Sequence, residues 1–286
     1  MEIESVFVGG AGLMGHGIAQ VFAASGRDVT LYEPDVSRAD HGRERIGANL
    51  ERLVQRDRLS APQRDEILAR IYPTDDIGRA ASADLVVEAI FEDPAVKQSF
   101  WSSIDAAAKP DAILASNTSS ISIDRLAEAV AAERRERFVG MHFFSPVPVM
   151  PLVELVRGSA TSDEVANQIR QVSAELDKQV IVSADRPGFL VNRMLMPFLA
   201  EAMRTLEEGT GTAEDIDAGA KVGLNHPMGP LALADFIGLD VCRNIMLVLH
   251  DGLGAEHFRP PRILDELVEA GHLGQKTGRG FHSYPS

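Results

Sequence analysis

Two polar side chains in apolar company stand out in this chain. His142 lies in Met141-His142-Phe143-Phe144-Ser145-Pro146, and Glu154 lies twelve residues on, in Leu152-Val153-Glu154-Leu155-Val156. A carboxylate inside an apolar strand is costly to bury unless it is paired. A chain reversal between Pro146 and Pro151 would bring His142 to it. Such a pair suits alcohol oxidation. A hydride leaves carbon only as the hydroxyl gives up its proton, and a neutral imidazole can accept that proton at pH 7. The carboxylate behind the ring holds its tautomer and stabilises the imidazolium that forms, as in a hydrolase triad. Ser119 could hydrogen-bond the alcohol or simply cap a helix. Asn192 could hold a substrate oxygen or a water.

Hydride chemistry needs an acceptor. Gly10-Ala11-Gly12-Leu13-Met14-Gly15 fits G-x-G-x-x-G, follows a strand-like run and opens a helix. In that setting the first glycine makes the tight turn, the second admits a pyrophosphate to the backbone, and the third lets helix and strand pack closely. The N–H groups at the helix start then bind phosphate. Glu33 ends the second strand, eighteen residues past Gly15. A carboxylate there accepts hydrogen bonds from the adenosine ribose and repels a 2′-phosphate, so NAD is favoured over NADP. A glycine turn needed only for packing is the competing explanation.

The elements that must position these groups alternate. Strands are expected at 3–8, 29–32, 85–90, 112–115 and 138–142. Helices are expected at 13–24, 36–57, 61–70, 94–107 and 122–132. Strands at 152–156 and 179–182 flank a helix at 162–176. Strands alternating with helices predict a parallel sheet covered on both faces. Ligands then sit beyond the carboxyl ends of the strands, where Glu92, Lys97, Asn117-Thr118-Ser119-Ser120 and His142 fall. Past Asp185-Arg-Pro-Gly the strand signals vanish, and 189–207, 213–222, 230–251 and 261–270 read as helical. The fold class is therefore α/β, a doubly wound Rossmann-type parallel sheet followed by an all-α C-terminal domain. The expected division is a dinucleotide-binding domain over 1–185 and a helical substrate-cleft and dimerisation domain over 186–286. The apolar segments Pro230-Leu-Ala-Leu-Ala and Ile245-Met-Leu-Val-Leu are expected to pack against a second copy.

Composition narrows the class further. In 286 residues, 45% are hydrophobic and 24% charged, as in an ordinary globular protein. The net charge of −14 disfavours nucleic acid and anionic membrane as partners. The longest apolar runs fall short of the ~20 residues that span a bilayer. The acidic start, Met1-Glu2-Ile3-Glu4, is unlike a signal peptide. The one cysteine, Cys242, rules out an internal disulfide or a Cys-based metal site. A cytoplasmic, metal-free enzyme is expected.

These pieces resemble the L-3-hydroxyacyl-CoA dehydrogenase family, nearest its short bacterial branch acting on 3-hydroxybutyryl-CoA. The likeness runs through GAGLMGHGIAQ (10–20), VVEAIFED (86–93), ASNTSSISI (115–123), GMHFFSPVPVMPLVEL (140–155), DRPGFLVNRML (185–195), NHPMGPLALADFIGLD (225–240) and LGQKTGRGF (273–281). The resemblance implies NAD as cofactor, an acyl-CoA thioester as substrate and a homodimer. It makes His142 the general base and Glu154 its partner, with Ser119 and Asn192 positioning substrate. It makes Gly10, Ala11, Gly12, Leu13, Met14, Gly15, Glu33, Glu92, Lys97, Ser119, Ser145 and Lys276 the cofactor contacts. Two positions depart from the pattern. Ser145 stands where the family more often has Asn, and Pro151 where Lys is common.

A cationic stripe points to the coenzyme end. Arg45, Asn49, Arg52 and Arg56 are spaced four, three and four apart, along one face of a helix. Arg52 and Arg56 could bind CoA phosphates, Arg56 also by resemblance. Interleaved Glu44, Glu51 and Asp57 leave a merely solvated face open. Three other functions compete. One is the same chemistry on an acyl carrier protein. Another is a hydroxyisobutyrate-type dehydrogenase, for which Lys221 is the only candidate base. The third is a non-catalytic NAD-binding member of the superfamily.

Overall fold

In the computed structural model, which describes residues 2–285, the chain forms two compact units divided between Arg186 and Pro187. The first unit runs β1 (Ser5–Gly9), α1 (Leu13–Ala24), β2 (Asp28–Tyr32), α2 (Val36–Val54), α3 (Ala61–Ala69), β3 (Ile71–Thr74) and β4 (Leu85–Glu88). It continues with α4 (Pro94–Ala107), β5 (Ile113–Ser116), α5 (Ile123–Ala127), β6 (Phe138–Phe143), β7 (Leu152–Arg157), α6 (Asp163–Glu175) and β8 (Gln179–Ala184). One eight-stranded sheet results, in the order β3-β2-β1-β4-β5-β6-β7-β8.

Strands β1 to β6 pair in parallel, so Gly9, Glu88, Ser116 and Phe143 reach one common edge. The sheet is not parallel throughout. β7 runs antiparallel to β6, and β8 follows β7 in parallel. The short link between β6 and β7 allows only this reversal, since a parallel return needs a crossover of a dozen or more residues. Strands β4, β5 and β6 are buried end to end, as expected for strands covered on both faces. Trp101 is fully buried, with Phe138 edge-on at 4.7 Å.

The edge strand β3 was not expected from sequence. Its Ile-Tyr-Pro-Thr run carries a proline and is mostly half-exposed, both marks of an edge position. The helix expected at 122–132 is shorter, covering Ile123–Ala127 before a 3₁₀ turn at 132–137.

The second unit holds α7 (Val191–Glu207), α8 (Ala213–Ala218), α9 (Pro230–Ile237), α10 (Leu239–Leu253) and α11 (Arg262–Glu269). Their core includes Met196, Leu199, Met203, Leu231, Met246, Leu249 and the sole cysteine, Cys242. The single helix expected over 230–251 is two helices, because Gly238 sits at φ +104 and interrupts the run. The apolar segments expected to need a second copy are largely covered within this unit; Pro230, Leu231, Ala234, Ile245, Met246 and Leu249 are buried. Met194, Val222 and Leu224 are the more exposed apolar side chains.

Asp84 fastens the start of the sheet. Its carboxylate accepts from the Ser5 N–H at 2.9 Å, the Glu4 N–H at 3.0 Å, the Ser5 hydroxyl at 2.8 Å and Lys109 Nζ at 2.5 Å. Burial opposes ionisation, but Lys109 and these donors outweigh it and hold the carboxyl down to about 2. A depressed folded-state pKa stabilises above the ordinary carboxylate value, and that contribution is lost as pH falls through the folded value. Asp84→Asn should therefore lower the urea midpoint at neutral pH. The deficit against the parent protein should shrink below the ordinary value of 3.8 and vanish near 2.

Candidate active site

The β6–β7 register sets His142 directly opposite Glu154. Directly opposed residues of an antiparallel pair point to the same face. Imidazole Nδ1 lies 3.0 Å from Glu154 Oε2. His142 is 6% exposed and Glu154 is 0% exposed. Against an ionised carboxylate the proton belongs on Nδ1, so Nε2 is the ring's accepting nitrogen. The Phe144 ring lies 4.5 Å from the imidazole, centroid to centroid. The Phe143 N–H donates to Asn117 Oδ1 at 2.8 Å, tying the end of β6 to the end of β5.

A second cluster lies at the ends of β4 and β5. Asp93 caps α4, accepting from the N–H groups of Ala95 at 2.8 Å and Val96 at 3.0 Å, and Pro94 opens the helix. Lys97, in the first turn, is 1% exposed, and its ammonium bonds both Glu88 and Glu92, the latter at 3.0 Å. Glu88 is fully buried and also accepts from the Ser116 hydroxyl at 2.6 Å and the Ile90 N–H at 3.0 Å. Glu92 accepts from the Thr118 hydroxyl at 2.6 Å, the Ser119 N–H at 2.9 Å and the Ser119 hydroxyl at 3.3 Å. Burial pushes the Glu92 carboxyl up, but Lys97 and the surrounding donors win and hold it below its ordinary range. Glu88 and Ser116 join this cluster without being among the residues expected at the site. The available signal was a carboxylate closing an apolar strand, with a lysine nine residues later.

The glycine turn forms the third part. A Cβ on Gly15 would overlap the Gly10 carbonyl, so helix and turn meet only because that side chain is absent. A Cβ on Gly12 would meet nothing within 4 Å, so the backbone there is open to approach. Glu33 is 8% exposed and accepts from the Ala11 N–H at 2.9 Å; Arg38 stands 3.8 Å from the same oxygen. A cleft of about 880 Å³ begins here, lined by Gly12, Leu13, Met14, Glu33, Arg38 and Phe91 among others. An uncapped helix start, an open glycine and a carboxylate in one cleft fit a dinucleotide.

The other expected contacts are more scattered. Ser145 is exposed just beyond β6. Arg45 and Arg52 are exposed on α2, whereas Arg56 lies past the end of that helix. Asn49 turns inward, with its amide 3.4 Å from Gln20 Oε1. In the helical unit, Asn192 is 7% exposed in the first turn of α7, and the Lys276 ammonium sits on Asp240 at 2.6 and 2.7 Å.

Comparison with known proteins bears directly on this arrangement. The profile of the 3-hydroxyacyl-CoA dehydrogenase NAD binding domain matches residues 5–186, and that of the family's C-terminal domain matches residues 188–284. The chain belongs to the 3-hydroxyacyl-CoA dehydrogenase family. It is 49% identical over 282 residues to a 3-hydroxybutyryl-CoA dehydrogenase of Bradyrhizobium diazoefficiens, covering 99% of this chain and 96% of that one. A 3-hydroxybutyryl-CoA dehydrogenase of Mycobacterium tuberculosis is 44% identical, covering 99% of both. The solved (S)-3-hydroxybutyryl-CoA dehydrogenase of Ralstonia eutropha superposes with a TM-score of 0.96 at 42% identity, covering 100% of each chain. As a 3-hydroxyacyl-CoA dehydrogenase the chain is an NAD-dependent oxidoreductase. The comparisons support this reading over the carrier-protein and non-catalytic alternatives. Among the described residues, no helix is long and apolar enough to cross a membrane.

The Lys97 cluster generates a stability test. Removing one partner of a buried ion pair leaves an uncompensated charge and costs about 3–5 kcal/mol. Lys97→Met should lower the unfolding free energy by about that amount in urea titrations. Adding Glu88→Gln should recover a large part of the loss. A single variant as stable as the parent would show that the cluster is not held by this pairing.

Proposed function

We propose that this family member interconverts (3S)-3-hydroxybutyryl-CoA and acetoacetyl-CoA with NAD, as a cytoplasmic homodimer. The observation that carries the reading is the buried His142–Glu154 pair at the strand edge where the glycine turn also opens. Its relatives' names support the short acyl chain.

In this reading Gly10, Ala11, Gly12, Leu13, Met14 and Gly15 hold the pyrophosphate on α1, and Glu33 takes the adenosine ribose. Glu92, Lys97, Ser119 and Ser145 hold the nicotinamide end. Lys276 is a further cofactor contact. NAD, when bound, supplies the acceptor for the hydride from C3. His142 Nε2 takes the hydroxyl proton as the C3–O bond becomes a carbonyl. Glu154 keeps the ring in the accepting tautomer and stabilises the imidazolium. Ser119 and Asn192 orient the substrate oxygen, and Arg52 and Arg56 meet the CoA phosphates. In the reverse direction the imidazolium returns the proton; reduction takes up one proton overall, so it is favoured as pH falls. The first unit binds the dinucleotide. The second makes the dimer contact, which the exposed Met194, Val222 and Leu224 support.

Three measurements test the reading. His142→Ala should cut kcat for acetoacetyl-CoA reduction by about 10²–10⁴-fold while NADH still quenches or enhances fluorescence on binding. Near-normal kcat would remove His142 as the base. Glu33→Ala should weaken NAD⁺ by about tenfold, or 1.4 kcal/mol, and NADP⁺ far less; equal losses would undo the ribose assignment. Sedimentation should give twice the 30.9 kDa chain mass, and a stable monomer would refute the dimer.

A further inference from the structure

Lys178, between α6 and β8, is only 8% exposed. Buried lysines ordinarily sit against a carboxylate. This one instead gives its ammonium to two backbone carbonyls, Val147 O and Met150 O, each at 2.8 Å. Burial lowers its pKa, with Asp177 opposing the shift. An ammonium held in this way is costly, so what it holds matters.

Both carbonyls belong to the turn 144–151 that joins β6 to β7. That turn is fastened elsewhere too. Val149 and Met150 both donate N–H to Pro146 O at 2.9 Å, and the Gln179 N–H reaches Pro151 O at 2.7 Å. Val147 itself is 3% exposed and lies against α1, where a Cβ on Gly17 would come within 2.9 Å of Val147 Cβ. The turn thus packs on the helix of the glycine motif through Val147 and is bonded by the Lys178 ammonium. At its start is Phe144, whose ring lies against the His142 imidazole at 4.5 Å. Past its end, β7 delivers Glu154 opposite His142.

We propose that Lys178 is a positioning residue for the reaction, holding through Val147 O and Met150 O the turn that sets His142 against Phe144 and Glu154. This rests on His142 being the base. An imidazole displaced by as little as ~1 Å can cost about 100-fold in rate, whereas the cleft at the glycine turn is lined by residues outside 144–151, Ser145 being this turn's one proposed cofactor contact.

Lys178→Met keeps the hydrocarbon stem and removes the ammonium. NADH-binding sites are counted by fluorescence titration, and kcat with acetoacetyl-CoA is expressed per binding site. The expected result is a fall in kcat per site of about tenfold or more, with the NADH dissociation constant changed by much less. Val147→Ala leaves the ammonium in place and thins the packing of the same turn on α1. It should show the same split at smaller size, and it carries the test if Lys178→Met does not fold. An unchanged kcat per site overturns the proposal, as does a loss that only follows the number of NADH-binding sites or the NADH affinity. His142→Ala, assayed alongside, separates the two readings. If it retains turnover, the base assignment has failed. If it is inactive while the Lys178 and Val147 variants keep full kcat per site, only the positioning role has failed.

Discussion

A carboxylate with no exposure to water cannot be left alone inside a sheet. Glu154 is such a group, and the chain answers it from the neighbouring strand, with the imidazole of His142 directly across. Side chains alternate between faces along a strand, so a slip of one residue would send the two groups to opposite sides of the sheet. The register of β6 and β7 is therefore tied to this pairing, and the reversal of β7 in an otherwise parallel neighbourhood is what makes this register possible. The same condition explains why the connecting turn is held so firmly by backbone and ammonium bonds.

The parallel strands do a different job. They bring loop after loop to one edge, and at that edge charge is concentrated and neutralised locally. Lys97 lies between Glu88 and Glu92, and the hydroxyls of Ser116 and Thr118 complete the carboxylates. Such an array is preorganised: donors and acceptors are fixed before any ligand arrives and need little rearrangement when one does. At the glycine turn, a chain of net charge −14 presents open backbone N–H groups at a helix start, which suit an anionic ligand without a basic surface overall.

Much of this was legible in the residues. The glycine turn, Glu33 and the His142–Glu154 pair announce themselves because each is costly unless the fold supplies a close approach or a partner: a run of glycines, and acids in apolar strands. Less was legible where tertiary context decides. β3 hides behind Pro73 and polar neighbours at the sheet's edge. The break between α9 and α10 turns on one glycine in an apolar stretch that otherwise reads as continuous. Glu88 looks like the tail of a strand until Lys97 folds back onto it. The apolar segments of the helical unit look like an interface, yet the neighbouring helices cover most of them.

Each unit carries its own unique optical or chemical reporter. The sole tryptophan, Trp101, is enclosed by Phe100 and Phe138 in the first unit, so its emission follows the loosening of the sheet and its covering helices. The sole cysteine, Cys242, is sealed in the second unit, where burial first, and then the nearby Asp240 and Asp235, push its thiol up to about 12. Thiolate, not thiol, is what alkylating agents attack. Labelling of this sulfur at neutral pH thus waits for the helices around it to part. Pulse alkylation and intrinsic fluorescence, followed on one unmodified chain, can resolve whether the two halves melt together or in succession.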